Sequence, residues 1–201
     1  NEERQEKSHV HYSGFSPDER FLFAVDLGTD HIITYTFDEG RLIEKVRLSV
    51  RAGSGPRHLA FHPNGCLAYV MTELSNEVIS LDYDAETGCF TERQYISALP
   101  ADFKGHSQGS AIHLSSDGRF VYAGNRGHDS IAVFSAEEDG SLALIEHVPT
   151  GGSWPRDFSL DPSERFLVAA NQESHNLVLF ARDAESGKLN RLSSEVSVPY
   201  P

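Results

Sequence analysis

Four stretches of this chain repeat one another without gaps: SPDERFLFAVDLGTDHIITYTF from Ser16, HPNGCLAYVMTELSNEVISLDY from His62, SSDGRFVYAGNRGHDSIAVFSA from Ser115 and DPSERFLVAANQESHNLVLFAR from Asp161. Their second residues, Pro17, Pro63, Ser116 and Pro162, are spaced 46, 53 and 46 apart. A chain that recurs at this period is built from copies of one supersecondary unit, and neighbouring copies must bury each other's faces. The middle interval is longer because ADFKGHSQGS, residues 101–110, is inserted between two units.

Each unit reads as four strands. In the second they fall at Arg57–Phe61, Leu67–Thr72, Glu77–Tyr83 and Phe90–Ser97, separated by HPNG, ELSN and DAETG. Gly, Asn and Asp in those separators supply turn backbone angles. The nearly all-apolar run Phe21–Val25 predicts a strand covered on both faces. Ile33, Tyr35 and Phe37 alternate with polar or small neighbours and predict a sheet with unequal faces. No segment sustains an amphipathic helical pattern for three turns. Four strands every 40–50 residues is the pattern of a β-propeller blade. The expected fold is therefore all-β: a β-propeller with four four-stranded blades near residues 9–50, 55–99, 108–149 and 154–198. The whole of 1–201 is read as one domain without a linker.

In a propeller the innermost strand of each blade lines a central channel. Six residues before the repeat anchors stand His11, Arg57, Ser110 and Arg156; ten residues after them stand Leu27, Glu73, Arg126 and Gln172. The first set opens the inner strand and the second closes the antiparallel strand beside it, so both are expected at one end of the channel. Three arginines, a histidine and a carboxylate would then surround one mouth. One reading is that these arginines bridge neighbouring blades, pairing with Glu73, Asp157 or backbone carbonyls. The other is that an anion sits between guanidiniums that would otherwise repel. His113 lies on an inner strand three residues before its anchor. His9 shares the HVH alternation with His11, but the repeat register favours His11 for the mouth.

The formal net charge of −13 argues against binding nucleic acid or an anionic membrane surface, whose phosphates would be repelled. It leaves room for a local basic pocket. Cys66 and Cys89 have neither CxxC spacing nor a disulfide framework, which points to a reducing compartment. NEERQEKSHVH is unlike a secretory signal, and no apolar run reaches the length of a spanning helix, so the cytoplasm is the expected location. GHSQG, residues 105–109, matches the G-x-S-x-G nucleophile elbow, but a proline-containing stretch precedes it and the strand SAIHLSS follows, where the elbow needs a strand and then a helix. Ser107 or Gln108 remains a candidate rim contact. Asn64-Gly65, Asp117-Gly118 and Asp139-Gly140 are hairpin-turn chemistry, and zinc and calcium spacings are missing. No metal or other cofactor is expected.

HVHYSGFSPDERFLFAVDLGTD, GPRHLAFHPNGCLAYVMTELSN, GNRGHDSI and WPRDFSLDPSERFLVAANQESHN together resemble the lactonase-type seven-bladed β-propellers. That family contains bacterial 6-phosphogluconolactonases and is similar to fungal carboxymuconate lactonizing enzymes. The resemblance covers essentially the whole chain. It places the family's inner-strand histidine on His11, its G-P-R-H arginine on Arg57, its glutamate on Glu73, its N-R-G arginine on Arg126 and its P-R arginine on Arg156. Such proteins run to about 330–390 residues and seven blades, so the chain reads as a four-blade fragment. A closed four-bladed ring and a dimer of two arcs are the alternatives, and open blade edges would favour self-association.

The resemblance implies hydrolysis of 6-phospho-D-glucono-1,5-lactone to 6-phosphogluconate, in the pentose phosphate pathway. His11, Glu73, Arg57 and Arg126 are then the expected catalytic residues: His11 or Glu73 would activate water, with His11 assigned as base and Glu73 as its orienter or partner. Arg156, His113, Gln172 and His58 are the expected substrate contacts. The partner is an anionic sugar-phosphate lactone. Two other readings keep the same residues: a cycloisomerase forming a lactone from a carboxylated muconate, and a non-catalytic propeller scaffold whose mouth is closed by Arg–Glu pairs.

Overall fold

The computed structural model describes residues 3–201, and within them sixteen strands form four separate antiparallel sheets. The first holds β1 (Val10–Phe15), β2 (Leu22–Asp26), β3 (His31–Asp38) and β4 (Arg41–Ser49). The second holds β5 (Pro56–Phe61), β6 (Leu67–Thr72), β7 (Glu77–Asp84) and β8 (Cys89–Ser97). The third holds β9 (Gln108–Leu114), β10 (Phe120–Arg126), β11 (Ser130–Ala136) and β12 (Leu142–Pro149), and the fourth β13 (Pro155–Leu160), β14 (Phe166–Asn171), β15 (Asn176–Arg182) and β16 (Leu189–Ser197). Each sheet is a simple meander in chain order, and no helix occurs among the described residues. The first strands of successive sheets pack together, β1 on β5, β5 on β9 and β9 on β13, so they form the inner side of an arc of four propeller blades. The arc is not a closed ring.

The core lies between blades. Phe21, Phe23, Val25 and Ile32 of the first pack on Val70, Leu81 and Tyr83 of the second. Tyr69 and Met71 turn the other way, onto Val121 and Phe134 of the third, and Tyr122 and Val133 pack on Leu167, Val178 and Phe180 of the fourth. Adjacent residues of one strand thus serve opposite interfaces, as the two-residue period requires. Each such fully buried side chain contributes about 1.5–3 kcal/mol of apolar burial.

In the first blade the faces of β3 are unequal, as its alternation predicts. Ile32 and Thr34 are the sealed side, opposite Val25 and Phe23, and the Thr34 hydroxyl donates to the Gly88 carbonyl of the next blade. Tyr35 is half-buried and Phe37 is 48% exposed, stacked on Phe15 5.8 Å away. Their face is the one that no neighbouring blade of the arc covers. Leu22, on the same side, is likewise half-buried, so Leu22–Asp26 is sealed on both faces only from Phe23 onward.

A second repeated device sets how each blade hands the chain to the next. Asp30, Asn76, Asp129 and His175 occupy one repeat position and all four have left-handed backbones, φ 53 to 57°. Asp30 accepts the backbone N–H groups of Gly53 and Gly55, and Asp129 accepts that of Trp154. Asn76 donates to the Ser107 carbonyl. Short polar side chains tolerate this backbone because they bond locally. Here they fasten the loop that enters the following inner strand.

Candidate active site at the channel mouth

Every inner strand carries a β-bulge at its start, and the repeat column falls on it. In β1 the register passes from Val10↔Asp26 to Tyr12↔Val25, leaving His11 unopposed. In β5 it passes from Pro56↔Thr72 to His58↔Met71, skipping Arg57; in β13 it skips Arg156 between Pro155↔Asn171 and Asp157↔Ala170. In β9 the two residues Ser110 and Ala111 oppose the single Gly124. A bulge inserts one residue and re-aims its side chain, so the fold turns these positions out of the ladder.

The second column meets the first at Glu73, which is 1% exposed. Its Oε2 accepts from Arg126 at 2.8 Å and lies 3.2 Å from Arg57 Nε, while its Oε1 accepts from Arg4 at 2.6 Å. Arg57 also donates to the Ser110 carbonyl, and Arg126 to the Gly109 carbonyl, so both guanidiniums tie the second blade to the third. The backbone can come this close because residue 109 is glycine: a Cβ there would run into the Thr72 carbonyl. Burial pushes the Glu73 carboxyl up, but the charges and hydrogen bonds of Arg126 and Arg4 outweigh it and hold the group below the usual carboxylate range. Burial, and then the charge of Arg126, lower Arg57 to about 10, so it stays cationic at neutral pH.

The pairing does not close the mouth. Arg126 Nε is buried without a hydrogen-bond acceptor, and Arg57 Nε meets Glu73 as an ion pair but not in hydrogen-bond alignment. Arg156 is exposed and has no ion-pair or hydrogen-bond partner among the described residues, yet its charge acts on both Arg57 and Arg126. Arg57, Arg126 and Arg156 thus act on one another at the mouth, with Glu73 and Asp157 among the carboxylates that offset them, inside a chain of net charge −13. Arg57 and Arg126 thus bridge the second and third blades, as one of the two readings expects, and Arg156 takes no part in that bridging.

The histidines divide by tautomer. His11 Nδ1 lies 2.9 Å from the His9 carbonyl, which only accepts; the proton is therefore on Nδ1 and the lone pair on Nε2. His58 Nε2 faces Arg57, which only donates, so this nitrogen is the bare one. Burial and then the Arg57 charge lower His58 to about 4, and it is neutral at physiological pH. His113 lies 3.7 Å from Asp157 and packs edge-on against Phe158. His113 and Asp157 border a cleft of about 320 Å³ that opens on Val168 and Ala170, on the uncovered face of the fourth blade.

Gln172 and Ser110 are placed differently from the arginines of their columns. The Gln172 amide is engaged by Glu173, and Ser110 is wholly buried, contributing its carbonyl to Arg57. Ser107 is buried and donates to the Arg126 carbonyl, and β9 follows it directly, so the elbow geometry does not arise. Among the described residues no three His, Cys, Asp or Glu side chains are placed to hold a metal ion.

Two mouth residues were not singled out from the sequence. Arg4 lies outside the repeat and so in no column. Trp154 precedes Pro155-Arg156 and has φ +63°; the equivalent slot in the second blade is Gly55, also at +63°. A left-handed backbone costs a bulky residue about 1–2 kcal/mol, and here Asp129 and the Gln172 N–H hold it in place. The arginine Cζ of residue 126 sits 5.6 Å from the Trp154 ring centre, and the His106 ring stacks beside it at 6.4 Å. The W-P-R against G-P-R contrast was the available signal.

The family model described as "Lactonase, 7-bladed beta-propeller" matches residues 1–201. The chain is 58% identical over 200 residues to the 6-phosphogluconolactonase of Bacillus subtilis, covering 99% of this chain and 57% of that protein. Among solved structures, a Lactobacillus plantarum protein superposes with a TM-score of 0.95 at 45% identity, over 98% of this chain and 57% of the other. The Pseudomonas aeruginosa periplasmic gluconolactonase superposes with a TM-score of 0.92 at 36% identity, over 98% and 56%. The chain thus spans somewhat more than half the length of the proteins it matches.

Proposed function

The chain belongs to the lactonase family of seven-bladed β-propellers, and we propose on that footing that the whole protein hydrolyses 6-phospho-D-glucono-1,5-lactone to 6-phosphogluconate at this mouth. The observation that carries the reading is the cluster of guanidiniums around Glu73, with the buried Arg126 Nε lacking an acceptor and Arg156 unpaired among the described residues. Such a cluster suits a ligand with an anionic end and a carbonyl that becomes an oxyanion.

In this mechanism His11 Nε2 takes a proton from water as its oxygen bonds to the lactone carbonyl carbon. Arg126 or Arg57 stabilises the resulting oxyanion. The carbonyl re-forms, the ring C–O bond breaks, and the leaving oxygen takes the proton back from His11. Arg156, the exposed cation, meets the phosphate. Glu73 does not act as a base, because its proton affinity is lowered and Arg4, Arg57 and Arg126 occupy its oxygens; it positions the arginines. This differs from the sequence-based expectation that Glu73 partners His11. Neutral His58 keeps Arg57 oriented, and His113 with Asp157 borders the cleft on the fourth blade.

A cytoplasmic location belongs to the same proposal and rests on two unpaired cysteines, Cys66 exposed and Cys89 half-buried. The test is proton release from the phosphorylated lactone by the whole protein. His11→Gln should lose about 10²–10⁴-fold in kcat. Absence of hydrolysis by the unaltered protein overturns the lactonase reading; full activity of His11→Gln overturns the choice of base.

A further inference from the structure

We propose that Trp154 is the platform on which the six-membered ring of the substrate rests, and that it selects for a sugar ring over a bare anion. This deepens the lactonase reading and rests on it. The fold has no need of an indole here. At the same repeat position the second blade carries Gly55 at the same φ, +63°, with its N–H held in the same way by the aspartate of the preceding blade. Strain held in place at a mouth calls for a use.

The indole is half-buried, with the Arg126 guanidinium 5.6 Å from its ring centre and the exposed His106 ring 6.4 Å away. Its Nε1–H has no protein acceptor among the described residues and is free to donate to a ring hydroxyl. Arg156 follows two residues on, past the rigid Pro155, and its charge reaches Arg57 and Arg126. A flat apolar surface beside the Arg126 cation, two residues from the exposed Arg156, matches a pyranose-type lactone. Its axial C–H face is apolar, and its charge lies at one end.

Trp154 is also the only tryptophan of the chain, so its emission reports on this one place. The chain is titrated with glucose 6-phosphate, which has the same ring size and phosphate but no lactone to hydrolyse, and in parallel with inorganic phosphate. The expected result is a saturable emission change and protection from acrylamide quenching with the sugar phosphate, and little of either with phosphate alone. Equal responses to both, or a response to neither, overturn the proposal.

In the whole protein, Trp154→Gly should raise KM for the lactone about tenfold, leave kcat within about twofold and leave the melting temperature unchanged or higher. Trp154→Phe should recover most of the KM. An unchanged KM in Trp154→Gly with active unaltered protein overturns the platform and spares the lactonase reading. A sugar-phosphate response without any hydrolysis does the reverse.

Discussion

Replacing Glu73 by glutamine keeps the size of the side chain and removes the negative charge from the centre of three guanidiniums. The side chains of Arg57 and Arg126 are only 6% and 3% exposed, so water cannot take over as counter-charge, whereas that of Arg4 is 42% exposed and loses little. Removing one partner of a buried ion pair costs about 3–5 kcal/mol. For a chain of this size, each kcal/mol lowers the melting temperature by about 2–4 °C, so Glu73→Gln should melt roughly 6–20 °C lower. Since an anion is the natural replacement, phosphate should restore part of the loss; at about a hundred times its dissociation constant it returns about 2.7 kcal/mol. Thermal unfolding followed by circular dichroism at low ionic strength, with and without phosphate, reads both effects. A melting temperature within 2 °C of the unaltered chain, or a loss that phosphate does not touch while chloride at equal ionic strength does, would refute the account of Glu73 as the counter-ion that assembles the mouth.

Arg156→Ala should leave the melting temperature unchanged, because the residue is exposed and unpaired among the described residues, while raising KM for the phosphorylated lactone about tenfold; the unphosphorylated lactone should be affected less. His58 is held near 4, below its unfolded value of 6.5. The unfolded chain therefore binds the extra proton first on acidification, and stability is present above pH 6.5 and is lost as pH falls towards 4, by about 1–3 kcal/mol in denaturant titrations. His58→Gln should flatten that part of the profile. Tyr122→Phe removes a hydroxyl that accepts from Arg182 Nε at 2.7 Å and donates to the Gly187 carbonyl, at the third-to-fourth blade contact. With Arg182 Nη2 already lacking a hydrogen-bond partner, the loss should be about 1–3 kcal/mol by the same titration.

The repeat made much of this legible, because one blade is too small to bury its own faces and so the chain must write the same strand, turn and strand again. Aligning Pro17, Pro63, Ser116 and Pro162 brought out the fold class. It also gathered Arg57, Glu73, Arg126 and Arg156 into two columns, and the structure joins the first three through one carboxylate. What stayed hidden depends on hydrogen-bond register or on absolute orientation, neither of which a residue pattern records. The bulge at His11, Arg57 and Arg156 is visible only as a skipped partner between β1 and β2, β5 and β6, and β13 and β14. Alternation in β3 shows that its faces differ, but not that Ile32 and Thr34 are the covered side. Gln172 stands in the right column and turns to Glu173 instead, since a neutral amide gains no more from the arginines than from an adjacent carboxylate. Arg4 could not be found by period at all.

The central claim is that the guanidiniums assembled by Glu73 bind and activate an anionic lactone. Its most direct measurement is the initial rate of 6-phospho-D-glucono-1,5-lactone hydrolysis by the whole protein, with and without Arg57→Lys, under conditions where spontaneous opening is slow. Arg57→Lys keeps the positive charge but cannot reach Glu73 and the Ser110 carbonyl together, so the account predicts fast hydrolysis by the unaltered protein and a loss of at least about tenfold in kcat/KM in the variant. A rate no faster than the spontaneous one, or equal rates for the two proteins, would contradict it.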